Sequence, residues 1–214
     1  MDIIKNYMTF NMMKSSILII ANGPSTLDNQ FGDIIDTFDN VARINNYKTS
    51  NFENCIGSKT TIWFNGANKK LTPRPEFEGK IVVFVPYEIL NKKEKDVIER
   101  TPKRLKLSPD RYDLISKEKM KSYENIANVK RPTTGLNSIM WSLENYEKIF
   151  IHGFDFFLTG KEHYYDSNFK KKIANLRIVG TANKHDNIGE RDFVKSLLKQ
   201  NRLIKLSDYI NKGK

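Results

Sequence analysis

The chain has 214 residues, with 36 Lys and Arg against 25 Asp and Glu, a formal net charge of +11. Its 39% hydrophobic residues and ordinary Gly and Pro numbers exclude collagen-like, low-complexity and disordered classes and suit one globular core. The longest apolar runs are strand length, far short of the roughly 20 residues that cross a bilayer, and residues 1–13 lack the pattern of a secretory signal. The expected compartment is therefore the cytoplasm.

A continuous aliphatic run over 15–21 predicts a buried strand, ending in the turn Asn22-Gly23-Pro24-Ser25. Further strands are predicted over 40–44, 60–64, 80–86, 105–107, 148–152 and 202–206. Helical composition covers 91–100 and 110–128. Leu136, Ile139, Met140 and Leu143 recur at helical spacing after Thr133 and Thr134, which suit a helix start. A last helix over 188–200 puts Val194, Leu197 and Leu198 on one side. This alternation predicts an α/β fold, an open and mostly parallel sheet with helices on both faces. The expectation is an extension over 1–14 and a single domain over 15–214. In such sheets ligands sit at the carboxyl ends of the strands.

Charge is uneven along the chain. Residues 91–131 hold 13 basic against 7 acidic residues, and 161–214 hold 13 against 6. Such a field suits a phosphate-bearing small molecule, an anionic membrane surface or a nucleic acid, or is a solvated surface, and charge alone does not decide among them. A nucleic-acid partner is not expected, since no basic helix with interleaved aromatics, ribonucleoprotein strand motif or zinc-finger spacing occurs. Cys55 is the only cysteine, which excludes an intramolecular disulfide and a Cys-rich zinc site. His152, His163 and His185 are the whole imidazole inventory.

Four regions carry chemistry. In the first turn Asn22, Gly23 and Ser25 offer close backbone approach and short polar groups to a phosphate or ribose, or form a plain turn. The glycine fingerprint of dinucleotide binding and the P-loop pattern are both absent. Asn45, after the second strand, can reach a nucleotide from the sheet edge, or belongs to a plain Asn-rich turn, which is the stronger reading of that loop alone. Thr133, Thr134 and Gly135 put hydroxyls and N–H groups at a helix N-terminus, which is an anion site, a simple cap, or both. The densest region holds His152-Gly153-Phe154-Asp155, then His163-Tyr164-Tyr165-Asp166, then His185 and Glu190. His163 and His185 suit acid–base work on a phosphate leaving group, while His152, ending an apolar strand, suits a structural role.

Taken in order, these residues resemble the sialyltransferases, the animal-type family with four sialyl motifs and, more loosely, the short bacterial enzymes. The large motif is echoed by residues 17–25, Val41-Ala42-Arg43-Ile44-Asn45 and Gly57-Ser58-Lys59-Thr60-Thr61. The small motif is echoed by Pro132-Thr133-Thr134-Gly135 through Asp155, the third by residues 163–166, and the very small motif by His185 and Glu190. The resemblance implies a Rossmann-like glycosyltransferase that uses CMP-sialic acid, inverts at the anomeric carbon and needs no metal or other cofactor. By position it assigns Asn22 and Asn45 to the nucleotide, and Thr133, Thr134 and Gly135 to the cytidine and donor region. It makes His163, helped by Tyr164 or Tyr165, the stabiliser of the departing phosphate, His185 the base and Glu190 a support.

The chain departs from animal members, which carry a membrane anchor and a disulfide, and this is consistent with a bacterial or viral cytosolic enzyme. Residues 65–130 match no motif and are expected to shape the acceptor side. A glycan, glycolipid or lipopolysaccharide acceptor and peripheral contact with an anionic membrane fit the basic segments. Two alternatives stand beside this reading, a transferase using another CMP-linked acid such as CMP-Kdo and a non-catalytic basic module that binds nucleotide or nucleic acid.

Overall fold

The computed structural model describes residues 16–155 and 186–212. Side chains alternate across β1 (Ser16–Ile20), and the two faces of the sheet follow from it. Ile17 and Ile19 enter the larger core, whereas Leu18 and Ile20 enter a smaller one on the other face. In β2 (Val41–Ile44), Ala42 and Ile44 join the larger core and Val41 the smaller.

The strands continue with β3 (Ile62–Asn65), β4 (Lys80–Val83), β5 (Asp113–Leu114), β6 (Lys148–His152) and β7 (Ile204–Lys205). They form one seven-stranded sheet in the order β5-β4-β3-β2-β1-β6-β7, and every pairing is parallel. Short helices α1 (Gly32–Asp36) and α2 (Glu53–Ile56) lie between β1 and β3 in sequence. Helices α3 (Tyr87–Leu105), α4 (Lys117–Ala127), α5 (Thr134–Asn145) and α6 (Asn187–Lys199) supply apolar residues to the larger core. Ile35 of α1 and Leu206 of α7 (Leu206–Lys212) close the smaller one. A parallel sheet covered on both faces explains why its strands read as unbroken apolar runs.

Two predicted elements differ. Residues 105–107 form no strand; Leu105 ends α3, and the left-handed Lys106 caps it by donating to the Pro102 carbonyl. Val97, Thr101 and Leu105 repeat every four residues and are all buried, a helical period that the short apolar pair Leu105 and Leu107 masks. The strand at that edge is instead Asp113–Leu114, inside the predicted helix 110–128, which shortens to α4 with Ser116 as its side-chain cap. The fold class is as the sequence implies.

Arg43, in β2, has 1% of its surface exposed and faces the side of the smaller core. Its Nη2 donates to the Ile56 and Gly57 carbonyls at 2.6 and 3.0 Å, and its Nε to Lys59 O and Thr60 Oγ1 at 3.2 and 2.9 Å. Asp36 takes the complementary donors of the same turn, the amides of Ser58 and Lys59 and the Ser58 hydroxyl. Those bonds, with the charge of Arg43, hold the Asp36 carboxyl below its ordinary range against the opposing effect of burial. The turn 56–60 is therefore fixed from both sides. Replacing Arg43 by Met leaves several buried carbonyls without donors, and we expect a loss of about 3 kcal/mol or more in urea unfolding. Arg43→Lys recovers little of it, because an ammonium cannot reproduce the planar fork.

Candidate functional site

The chain runs outward from β1 to β5 and returns to β6 on the other side of β1, so the strand order reverses between β1 and β6. At their carboxyl ends the two loops touch. The amide of Gly23 donates to Gly153 O at 3.0 Å, and the amide of Ser25 to Asp155 Oδ2 at 2.9 Å. The Ser25 hydroxyl also donates to Asp155, through Oδ1. A Cβ on Gly23 would lie 2.4 Å from Gly153 O and 2.5 Å from Asp155 Oδ2. Gly153 itself has φ +72°, and a Cβ there would meet Thr26 Cγ2 at 2.1 Å. Both glycines are demanded by this junction.

Asn22 lies just beyond β1 and is buried. Its Nδ2 donates to Ile44 O at 2.9 Å, which ties the β1 loop to the end of β2. Asn45 follows Ile44 in the left-handed region, at φ 50°, a conformation that Asn tolerates. Its carbonyl accepts from Trp63 Nε1 at 2.9 Å and its Oδ1 from the Gly66 amide at 3.2 Å. These bonds do not engage Oδ1 of Asn22 or Nδ2 of Asn45.

The N-terminus of α5 forms another wall. Thr133 is its cap, with Oγ1 accepting from the Leu136 amide at 3.2 Å. Glu190, from the first turn of α6, accepts from the Thr133 amide at 2.7 Å and from its hydroxyl at 2.6 Å. Glu190 is 3% exposed. Burial pushes its carboxyl up to about 7, against the pull of the two Thr133 bonds. The bonds named at this helix start leave the amides of Thr134 and Gly135 unengaged, at a terminus whose dipole favours an anion.

Together these loops line a cleft of about 410 Å³. Asn22, Gly23, Asn45, Thr133, Thr134, Gly135 and Glu190 all lie along it. Ser25 is set back from it, held by Asp155. His163, Tyr164, Tyr165 and His185 lie outside the described residues. His152 is buried against the ring of Phe31, and that burial lowers the pKa of its imidazole. Sequence reasoning named Asp155 as the close of a motif but gave it no role in the site. It assigned no role to Arg131, beside Thr133, and missed Arg100 and Arg104, and all three line the cleft. Their signal was the charge excess of 91–131, which marks a segment but not which cations turn inward. Among the described residues no group of three or more His, Cys, Asp or Glu is arranged to hold a metal ion.

The profile of glycosyltransferase family 29 (sialyltransferase) matches residues 15–202. The chain belongs to that family. A beta-1,6-galactosyltransferase of Arabidopsis thaliana is 25% identical over 188 residues, covering 74% of this chain and 46% of its own. A CMP-N-acetylneuraminate-beta-galactosamide-alpha-2,3-sialyltransferase of Gallus gallus is 27% identical over 165 residues, covering 70% and 47%. The chain thus spans about half the length of these relatives. A mammalian sialyltransferase crystallised with Gal-beta-1-3GalNAc-ortho-nitrophenol superposes with a TM-score of 0.65 at 20% identity, over 89% of this chain and 68% of that one. The sialyltransferase CstII of Campylobacter jejuni, in complex with cytidine-5'-monophosphate, gives 0.51 at 16% identity, over 90% and 79%. At these identities the likeness concerns the fold.

Two outcomes test the geometry of this family 29 site. Gly23→Ala forces the β1 and β6 loops apart and is expected to lower the melting temperature, measured by a thermal melt. Because the folded pKa of Glu190 is raised, the native state keeps a proton that the unfolded chain releases between pH about 4.5 and about 7. The contribution of Glu190 to stability is full below that window and falls as pH rises through it. Urea titrations across the window should show this fall in the wild type and its loss in Glu190→Gln, which retains a group able to accept from the Thr133 amide.

Proposed function

We propose that this chain is a sialyltransferase that moves sialic acid from CMP-sialic acid to a glycan or glycolipid acceptor. The observation that carries the reading is that Asn22, Asn45 and Thr133 to Gly135, from three separate loops, line one cleft at the point where the strand order reverses. Family membership supports it, as does the bound nucleotide named for the CstII complex.

In this proposal Asn22 and Asn45 hold the nucleotide, and Thr134 and Gly135 present amides to the anionic donor. The phosphate on the anomeric carbon is already a good leaving group. An acceptor hydroxyl oxygen forms its bond to that carbon as the carbon–phosphate oxygen bond breaks, with inversion, and CMP departs. His185 takes the hydroxyl proton, while His163 with Tyr164 or Tyr165 donates to the phosphate oxygen. The assignment of these four residues rests on their motif positions. No metal is required for this displacement. We further propose one transferase domain over 15–214, with 65–130 shaping the acceptor side, in a cytoplasmic enzyme that touches an anionic membrane peripherally.

A second reading is favoured by one observation, that the Arabidopsis thaliana relative is named a galactosyltransferase. The donor is then a different sugar nucleotide, and the same cleft serves it.

The test is release of CMP from CMP-sialic acid in EDTA. We expect turnover by the wild type and a loss of about 10²- to 10⁴-fold in folded His185→Ala. Strict dependence on a divalent ion, or full activity of the variant, overturns the mechanism. No CMP binding by calorimetry, with binding of another nucleotide, moves the protein to the second reading.

A further inference from the structure

The cleft extends past the residues that would hold the donor. Parallel strands lie about 4.8 Å apart, so β4 is three spacings, about 14 Å, from β1. The wall at that end is made by Asn68, Phe84 and Ile89 with Arg100 and Arg104. The two arginines are one turn apart on α3 and share a face, where like charges repel.

Among the described residues, little offsets them. Arg104 Nη1 donates to the neutral carbonyl of Ala67 at 2.7 Å. Arg100 pairs with Asp96 at 2.6 Å, but the arginine side chain is 26% exposed and the aspartate 58%, so the carboxylate sits out in water where such a pair contributes little. Arg131, also on the cleft, is paired with Glu88 at 2.8 Å. Among the described residues of the lining, the carboxylates are Asp155 and Glu190, and these are engaged by Ser25 and Thr133. Arg100 and Arg104 thus line the same cleft, and among its described lining residues no carboxylate is paired with them.

We propose that the β4 end of the cleft is an acceptor subsite for a glycan that itself carries an anionic group, a carboxylate or a phosphate, taken by Arg100 and Arg104. A planar fork matches either oxyanion with paired, charge-assisted hydrogen bonds. The word acceptor rests on the transferase reading, whereas the anion subsite rests on the side chains alone.

The experiment is calorimetric titration of the protein, with and without CMP, by lactose, sialyllactose and phosphorylated lactose. We expect one of the charged glycans to bind about tenfold or more tighter than lactose. Which of them does so separates carboxylate from phosphate. Because Arg104 also holds Ala67, Arg100→Gln is measured alone and beside the double variant Arg100→Gln/Arg104→Gln, with thermal melts for folding. Both are expected to lose the preference. Equal binding of all three glycans by the wild type overturns the proposal. So does a preference that survives in folded variants, and if those variants lose CMP affinity instead, the arginines serve the donor. Failure of the wild type to bind CMP, with the glycan preference intact, overturns the donor reading and leaves this subsite standing.

Discussion

Where β1 and β6 end, Gly23 and Gly153 bring their loops within one hydrogen bond of each other, and neither position admits a Cβ. This approach is what lets the strand reversal open into a cleft floored by backbone. Thr26 Oγ1, donating to Gly23 O, and Asp155, accepting from Ser25, hold the contact from either side. A bulkier junction would fill the position where a doubly wound sheet receives its ligand. The rest of the site is hung on neighbouring strand ends whose spacing the parallel ladder fixes.

Polar side chains then do for the irregular loops what ladders do for the strands. Arg43 and Asp36 supply donors and acceptors to the turn 56–60. Asn46 does the same for the segment after β3, donating to Lys70 O at 2.8 Å and accepting from the Thr72 amide at 2.7 Å. The guanidinium of Arg74 packs over the Tyr47 ring at 3.8 Å and donates to the Tyr47 carbonyl. The Asn-rich run after β2 is therefore not a loose turn. It replaces backbone partners that a loop otherwise lacks.

The sequence made the sheet legible because a strand covered on both faces is apolar throughout, as in 17–20 and 149–151. It made the glycine and asparagine turns legible because those residues mark conformations others avoid. Leu105 and Leu107 misled, since a short apolar pair carries no period, and the two-residue strand Asp113–Leu114 has no apolar run at all. Within the site, Asn22, Asn45 and Thr133 stood out by type and position. The tie between Glu190 and Thr133 did not, because it joins residues 57 apart in the chain and only tertiary structure brings them together. That Arg100 and Arg104 line the cleft was equally hidden, in a helix whose exposed positions also carry Lys92, Lys93, Lys95 and Lys103.

The bond between Glu190 and Thr133 has a consequence for how the cleft keeps its shape. Asp155 is fastened to the β1 loop and Glu190 to the start of α5, so two walls of the cleft are cross-braced by side chains that belong to other elements. A ligand seated between such walls meets a separation that is already set, and less ordering has to accompany its binding.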